Sequence, residues 1–361
     1  MARAPAVIET EALPEVDRLE GFPHPRETQT VFGHAAAERA LAEAFASRRM
    51  HHAWLLAGRA GIGKATFAYR LARFLLASPR DRTQPETSLD VAPGSIAVRQ
   101  VLALSHPGLL VLRRPWLTTT KRFATSIPID EVRRLRGFLG HTAAEDTWRV
   151  VIVDTADDLN PNAANALLKS LEEPPKRTVF ILLASEPGRL LPTIRSRCRL
   201  LSLAPLGLED LRRAASAAGR DEKPILSESM EALADGSVRR LLELSDGSGA
   251  KLYERILAIL TALPRIDWSA AHILADDLGS PSADQRFEMF FAILLSVMAK
   301  AIRGAAAGQP SAWPIPPGRA PAWAELWETI VREKDEVLEL NLDRRAYILS
   351  TLSRLASAAQ S

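Results

Sequence analysis

The stretch HHAWLLAGRAGIGKATFAYRLARFLL, residues 51–76, decides the fold of the chain. Its residues 53–57 are a short apolar run of the kind that a buried parallel strand uses, and residues 65–76 carry apolar side chains at helical spacing. A glycine-rich turn connects these two segments. A strand, a glycine-rich turn and a helix in immediate succession predict an α/β domain with a phosphate-binding loop.

The turn matches the phosphate-loop pattern G-x-x-x-x-G-K at Gly58, Gly63 and Lys64, with Gly61 between them. Glycines let backbone N–H groups converge on an anion, and the lysine reaches the outer phosphates of a nucleotide. Ala65 departs from the pattern, because a Ser or Thr hydroxyl at this position normally ligates Mg²⁺. We therefore expect a nucleotide site with incomplete metal coordination. The alternative is a glycine turn that binds no ligand.

A second apolar strand, Arg149–Asp154, ends in an acid at its carboxyl end. An open α/β sheet places its ligand-facing residues at that end of its strands. An aspartate there normally holds the Mg²⁺ water shell, and a following glutamate orients the attacking water. Thr155 follows Asp154 in this chain, and a hydroxyl cannot take a proton from water near neutral pH. Two hydrolytic positions, Ala65 and Thr155, are therefore altered.

A third apolar strand is predicted at residues 179–184, and Ser185 at its end is expected to face the same crevice as Asp154. Residues 193–199 then carry arginines at alternate positions, which are Arg195, Arg197 and Arg199. Buried arginines are costly, so we expect these to meet anions or carboxylates. The predicted helix 127–139 carries a further basic cluster, which is either a solvated helix face, the interpretation we favour, or a phosphate or partner contact.

The composition is that of a globular intracellular protein. A chain of 361 residues with a hydrophobic fraction of 47% can bury a sizeable core in two or three domains. The single cysteine, Cys198, excludes an internal disulfide and indicates a reducing cytoplasm. With 46 basic and 43 acidic residues, the net charge of +3 alone does not argue for nucleic-acid binding. The acids from Glu9 onward predict no signal peptide.

The predicted organisation has an irregular arm at residues 1–27, an α/β domain at 28–204, a small helical unit at 205–249 and only helices at 250–361. Three apolar stripes at helical spacing in the last segment are typical of core helices. The most apolar run there, residues 289–299, is shorter than the roughly 18 residues that span a bilayer, which favours a core helix. Segment 304–321 is rich in prolines and glycines, which predicts an exposed connection.

The segments HHAWLLAG, GIGKAT, NALLKSLEEPP and SRC, in this order, resemble the bacterial DNA polymerase III clamp-loader family within the AAA+ proteins. The motifs cover about residues 28–244, and the helical remainder is consistent in placement. The sequence is more similar to the delta-prime type of subunit than to the active gamma/tau type. The gamma/tau type keeps a hydroxyl after the loop lysine and an Asp-Glu pair on the second strand, and Ala65 and Thr155 break both patterns.

The resemblance implies a role for each candidate residue. In this chain the phosphate loop is represented by Gly58, Gly61, Gly63 and Lys64, the metal-site acid by Asp154, the first sensor by Ser185, the arginine finger by Arg197 and the second sensor by Arg239. The implied fold is an α/β AAA+ P-loop domain with a parallel sheet, a small helical lid domain at 205–249 and an all-helical collar at 250–361. Family members commonly carry a four-cysteine zinc module after the first helix, and residues 80–107 contain no cysteine, so no zinc is expected.

The resemblance also implies partners. Delta-prime subunits act in a five-subunit ring that opens the sliding clamp and loads it onto primed DNA in the cytoplasm. The expected partners are therefore the gamma/tau and delta subunits, with the clamp and primed DNA reached through the complex and no membrane involved.

Two functions of different classes fit these residues. The first, which we favour, is a non-hydrolysing scaffold within the DNA polymerase III holoenzyme that supplies Arg197 in trans to the ATP site of a neighbouring subunit. The second is an active ATPase of the gamma/tau type, with a water or Thr66 in place of the missing metal ligand. Binding of ATP stays open in both cases. The structural alternative for Arg197 is an internal salt bridge to a carboxylate such as Glu172 or Asp154.

Overall fold

The computed structural model describes residues 14–140, 147–219, 228–245, 248–280, 283–309, 311–340 and 342–360. The chain divides into two compact units. The first, here called the P-loop unit, comprises Met1–Pro224 and Asp235–Arg239, and the second, the helical unit, comprises Ile225–Ala234 and Arg240–Ser361. Residues 205–249 are thus shared between the two units, and their separation as a lid domain stays a prediction.

The helices and strands of the described residues are labelled in chain order. The helices are α1 (Ala35–Ala46), α2 (Lys64–Leu76), α3 (Ile96–Leu102), α4 (Ile129–Gly140), α5 (Pro161–Glu172), α6 (Pro192–Arg195), α7 (Leu208–Ala218), α8 (Glu228–Ala234), α9 (Val238–Ser245), α10 (Ser248–Ala262), α11 (Trp268–Leu278), α12 (Asp284–Ala307), α13 (Ala320–Glu339) and α14 (Arg344–Gln360). The strands are β1 (Ala53–Ala57), β2 (Arg82–Thr83), β3 (Asp90–Val91), β4 (Leu109–Arg113), β5 (Trp116–Leu117), β6 (Arg122–Phe123), β7 (Arg149–Asp154), β8 (Thr178–Ala184) and β9 (Arg199–Ser202).

The P-loop unit is built on a five-stranded parallel sheet with the order β4-β7-β8-β1-β9. The three central strands consist almost wholly of buried apolar residues, as a parallel sheet covered on both faces requires. The register places Arg113 beside Asp154 and Ala57 beside Ala184, so the carboxyl ends of these strands meet at one edge. The predicted α/β class and its three apolar strands are confirmed.

Helices cover both faces of this sheet. Buried side chains of α1 and α2, including Leu41, Phe67 and Phe74, pack against one face. Side chains of α4 and α5, including Val132 and Leu167, pack against the other face. The three arginines of α4 are exposed, and two of them, Arg133 and Arg134, form ion pairs within the helix, as the interpretation of a solvated face expects.

The helical unit has its own core, to which α10, α12, α13 and α14 contribute. Helix α12 is longer than the predicted apolar run, and its residues Arg286–Ala307, with a mean hydropathy of 1.6, have the length and composition of a membrane span. By length and composition alone a buried core helix looks the same. Phe287, Phe290 and Phe291 of α12 are fully buried in this core, with Tyr347 of α14 stacked on Phe291.

The prediction that segment 304–321 is an exposed connection is wrong in part. Helix α12 continues to Ala307, and the side chains of Trp313 and Ile315 are buried in the core of the helical unit. Trp313 packs edge-on against Trp323, with ring centroids 4.7 Å apart. Prolines and glycines stop a helix without preventing the apolar residues between them from packing.

Residues 14–27, the described part of the arm, contain neither helix nor strand but are docked on the P-loop unit by charge. The Glu15 carboxylate pairs with Arg26 and with Arg113 at the end of β4, at 2.6 Å in both cases. Asp17 lies 2.8 Å from Arg113 and 2.9 Å from the fully buried ring of His24. Burial alone would raise the pKa of Glu15, but hydrogen bonds from Arg26 and Arg113 hold it at about 2. We call these five residues the arm cluster.

Replacement of Arg113 by Met is expected to lower the free energy of unfolding by about 3 kcal/mol, because Glu15 and Asp17 would stay largely buried without their shared cation. Urea denaturation of the full chain at neutral pH measures this loss. Arg133→Met is the matched control, since Arg133 forms an exposed pair with Asp130 within α4, and it should change stability by about 0.5 kcal/mol or less. Equal losses in both variants would show that the arm cluster contributes no more to the free energy of unfolding than an exposed ion pair does.

Candidate nucleotide-binding site

The phosphate loop, residues 58–64, connects β1 to α2 and requires glycine at two positions. Gly61 and Gly63 have φ values of +76° and +100°, which side chains rarely adopt. A Cβ on Gly61 would also overlap Ser237 Oγ and Arg239 Cβ. Backbone at this loop can therefore approach other groups closely, which is the geometry that phosphate binding needs.

Lys64 opens α2 and is held inside the site. Its side chain is nearly buried, and its Nζ donates to Gly58 O at 2.6 Å, to Arg59 O at 2.8 Å and to Ser185 Oγ at 2.9 Å. Burial lowers the pKa of Lys64 to about 8, although the negative charges of Asp154 and Asp157 act in the opposite direction. The structure thus brings Lys64 and Ser185 together at the carboxyl edge of the sheet, the edge on which the sequence places both.

Asp154, at the end of β7, is 8% exposed, and its Oδ2 has no hydrogen-bond partner among the described residues. Burial raises the pKa of its carboxyl group to about 7, and the charge of Asp17 in the arm cluster adds to this effect, while Lys64 opposes it. A buried carboxylate oxygen without a partner fits the water shell of a divalent cation. Ala65 offers such an ion only a methyl group, so this chain's own ligands fit Mg²⁺ in part.

Asp157 is a site residue that sequence reasoning missed. It lies in the short helical turn Ala156–Asp158, and its Oδ2 accepts hydrogen bonds from the backbone N–H groups of Ser185 at 2.5 Å and Glu186 at 3.4 Å. It therefore fixes the end of β8, where Ser185 meets Lys64. The signal in the sequence was the group of three acids in residues 154–158, DTADD, of which only the first was considered.

Two further elements contact the phosphate loop. The backbone N–H of Arg239 donates to Gly61 O at 3.2 Å, and Arg59 forms an ion pair with Asp235. These contacts bring the turn Asp235–Arg239 over the loop, and the role of Arg239 as a second sensor stays a prediction. His34, which sequence reasoning also missed, is buried and donates from Nε2 to Ile62 O at 2.9 Å. Burial lowers the pKa of His34, which favours the neutral ring.

Arg197 follows α6 and forms the internal pair that stood as its structural alternative. Its Nη2 lies 2.7 Å from Glu172 Oε1, and its Nη1 donates to Thr193 O at 2.9 Å. The two charged side chains are 34% and 50% exposed, and pairs this exposed contribute about 0 to 1 kcal/mol. An anionic group that binds the guanidinium more tightly can therefore displace Glu172.

The other two arginines of segment 193–199 behave differently. The Arg199 guanidinium lies 5.1 Å from the ring centroid of Trp54, whose face supplies negative potential. An anionic partner for Arg199 stays a prediction. Arg195 is exposed to solvent, where its charge carries no burial cost.

The strand order, a phosphate loop after β1, an acid after β7 and a turn over the loop define a P-loop domain of the AAA+ type. The family model described as "DNA polymerase III, delta subunit" matches residues 33–207. These residues therefore match a family of clamp-loader subunits, and the clamp-loader resemblance is confirmed for this part of the chain.

Individual relatives agree with this assignment. The chain is 41% identical over 163 residues to DNA polymerase III subunit delta′ of Pseudomonas aeruginosa, covering 45% of this chain and 46% of the relative. It is 36% identical over 165 residues to the Escherichia coli delta′ subunit, covering 46% of each. Identity to subunit gamma/tau of Mycobacterium tuberculosis is 34% over 174 residues, 46% of this chain and 27% of the relative. The chain thus spans about half the length of the delta′ relatives that it matches.

A solved structure aligns over more of the chain at lower identity. It is the gamma subunit-related protein of Thermotoga maritima, with 17% identity, a TM-score of 0.43, and coverage of 89% of this chain and 99% of that one. A similarity of this size carries no argument about function.

Replacement of Asp154 by Asn is expected to stabilise the metal-free protein in a pH-dependent way. The native carboxyl pKa of about 7 lies above the ordinary value of 3.8, so native stability is lost as the pH rises through this interval. Asn does not ionise, so the gain in unfolding free energy should grow from about pH 4 to about pH 7 and reach about 1 to 3 kcal/mol. Urea denaturation in chelator at pH 4.5 and 8 measures it.

Asp157→Asn is the matched control for this prediction. Asp157 accepts two backbone N–H groups, so its replacement should lower stability by about 1 kcal/mol or more. A stabilising Asp157→Asn, or an Asp154→Asn gain that is equal at both pH values, would contradict the electrostatic account of the site.

Proposed function

We propose that the protein is a non-hydrolysing, delta-prime-type subunit of the DNA polymerase III clamp loader, which supports ATP-dependent loading of the sliding clamp onto primed DNA. The observation that carries the proposal is the contrast within one site. The loop and Lys64 retain the features that hold phosphates, while Ala65 and Thr155 lack the groups that complete Mg²⁺ coordination and orient water.

The candidate ligand of the site is ATP. The phosphate groups would be held by the backbone of residues 58–64 and by Lys64, whose ammonium group would exchange the carbonyls of Gly58 and Arg59 for phosphate oxygens. Asp154 would face the metal through water, and Mg²⁺, when bound, would neutralise phosphate charge. Gly61 and Arg239 keep the loop and the turn Asp235–Arg239 in contact. We propose no zinc site in this chain.

The proposed partners follow from the family. The chain would assemble with gamma/tau and delta subunits in a ring in the cytoplasm, and reach the sliding clamp and primed DNA through that complex. Residues 250–361 supply most of the core of the helical unit, and we propose that they form a collar that holds such a ring together. No membrane enters this proposal.

Arg197 is proposed as the arginine finger for a neighbouring ATP site. Its present partner, Glu172, is half exposed, and the pair carries little free energy that would oppose a change of partner. A guanidinium supplied in trans neutralises charge on the transferred phosphoryl group, and this is worth about 10³- to 10⁵-fold in rate.

The alternative function is an ATPase of the gamma/tau type. Its support is the 34% identity to gamma/tau relatives. Under this alternative, a water or Thr66 would replace the missing ligand at Ala65. Steady-state turnover of the isolated chain separates the two functions.

The isolated protein is expected to have negligible ATPase activity, because neither Ala65 nor Thr155 can supply the missing metal ligand or general base. A phosphate-release assay with and without Mg²⁺ measures turnover, and a fluorescent ATP analogue measures binding separately. Lys64→Ala is the control that should abolish any binding through the loop. Turnover at rates typical of an active ATPase that is lost in Lys64→Ala would overturn the scaffold function.

Arg197→Ala is expected to lower the ATPase activity of a complex reconstituted with gamma/tau and delta subunits, while assembly and the thermal midpoint stay near wild type. Arg197→Lys should rescue this activity only partly, because an ammonium group lacks the two-pronged geometry of guanidinium. Glu172→Gln is the matched control, since it breaks the internal pair and leaves Arg197 in place. Loss of thermal stability in both Arg197→Ala and Glu172→Gln, with unchanged ATPase activity of the complex, would make Arg197 a structural residue.

A further inference from the structure

A short β-hairpin projects from the carboxyl edge of the sheet, directly after β4. Strands β5 and β6 pair antiparallel, Trp116 with Phe123 and Leu117 with Arg122, and residues 118–121 form the turn. We call residues 114–124 the hairpin. Its turn residues and Arg122 are exposed to solvent.

The base of the hairpin is fixed to the P-loop unit. The rings of Trp116 and Phe123 meet edge-on with their centroids 5.0 Å apart, and the backbone N–H of Ala124 donates to Pro115 O at 2.9 Å. Arg114 forms an ion pair of 3.0 Å with Asp158 in the turn after β7. The exposed tip is therefore presented from a fixed base.

The hairpin and its flanking residues are more basic than the chain as a whole. Residues 113–129 contain four basic residues and no acid, whereas the whole chain has 46 basic and 43 acidic residues. Arg113 and Arg114 are paired with acids at the base. Lys121 and Arg122 at the tip have no ion pair among the described residues, in contrast to Arg133 and Arg134 of the neighbouring α4, which pair with Asp130 and Glu131.

The tip also has the hydrogen-bonding groups that phosphate contacts use. Three consecutive threonines, residues 118–120, precede Lys121 and are exposed. Contacts to nucleic-acid phosphates come mainly from lysine, arginine, hydroxyl side chains and backbone N–H groups. A partner that suits this surface is a polyanion with closely spaced phosphates.

We propose that the hairpin binds the phosphate backbone of DNA through Lys121, Arg122 and the neighbouring threonine hydroxyls. The contact carries no sequence information, because phosphates are common to every sequence. The choice of DNA as the polymer rests on the proposed function. The contact itself depends neither on nucleotide in the phosphate loop nor on Arg197.

The test uses fluorescence anisotropy of a fluorescein-labelled primed-template oligonucleotide titrated with the full chain between about 50 and 200 mM salt. The wild type is expected to bind weakly, in the range of about 10⁻⁴ to 10⁻⁶ M, with an affinity that falls steeply with salt. The double variant Lys121→Glu/Arg122→Glu should lose about tenfold or more in affinity at the lowest salt. Its salt slope should fall by about 2, corresponding to two lost phosphate contacts.

Arg48→Glu/Arg49→Glu is the matched control. These adjacent arginines are exposed in the turn before β1, at the opposite edge of the same sheet, and the variant makes the same change in net charge. It should keep a salt slope near that of the wild type. An equal loss in both double variants would overturn the proposal, because binding would then follow net charge. An unchanged Lys121→Glu/Arg122→Glu variant would overturn it as well.

Two further measurements test whether the hairpin recognises phosphates and whether this contact is separate from ring assembly. Poly-glutamate that competes as well as unlabelled DNA would overturn the assignment to phosphates, while much weaker competition supports it. Assembly of the same variants with gamma/tau and delta subunits, read by gel filtration, tests the proposed function separately. A chain that binds DNA through the hairpin but joins no ring would retain this inference and refute the proposed function.

Discussion

The candidate site depends on the hydrogen bonds that the buried ammonium group of Lys64 donates. This group joins two carbonyls of its own loop to the Ser185 hydroxyl at the end of β8, and so ties the phosphate loop to the neighbouring strand. Ser185 is positioned in turn by Asp157. A charged group can be held here only because each of its protons meets an oxygen, since a buried ammonium without partners would lose its charge.

The arm cluster extends this electrostatic arrangement to the edge of the sheet. Arg113 stands beside Asp154 on the adjacent strand, and it holds Glu15 and Asp17 of the arm. Asp17 in turn contributes to the raised pKa of Asp154. A segment that has no regular secondary structure among its described residues thus affects the protonation of the residue that would face a metal.

The sequence was most informative where every residue of an element obeys one pattern. The apolar runs of β1, β7 and β8 identify a buried parallel sheet, and the glycines and Lys64 identify the loop between β1 and α2. The roles of Asp157 and His34 were missed because each depends on a backbone group that only the fold brings near. The arm cluster was missed for the same reason, since Glu15 and its partner Arg113 are 98 residues apart.

Local composition also gave a wrong prediction of which residues are buried. Segment 304–321 is rich in proline and glycine, and that composition correctly indicates that regular structure is interrupted. It contains no information on whether Trp313 meets another aromatic ring, and the contact with Trp323 places it inside the core. In the same way, alternate arginines in 193–199 indicate charge, but the sequence does not distinguish a carboxylate partner for Arg197 from an aromatic partner for Arg199.

The residues that depart from the hydrolytic pattern and those that follow it differ in their effect on the stability of the native fold. Lys64 and Asp154 are buried charged groups whose pKa values are shifted toward neutrality, so each lowers the stability of the native fold. Ala65 and Thr155 are small side chains that impose no comparable penalty. A site without a ligand would gain stability by replacing Lys64 and Asp154 with apolar residues of similar volume. The chain instead keeps these two buried charged groups, while residue 65 lacks a hydroxyl group and residue 155 lacks a carboxylate. This combination is the physical basis on which binding of a charged ligand without hydrolysis is proposed.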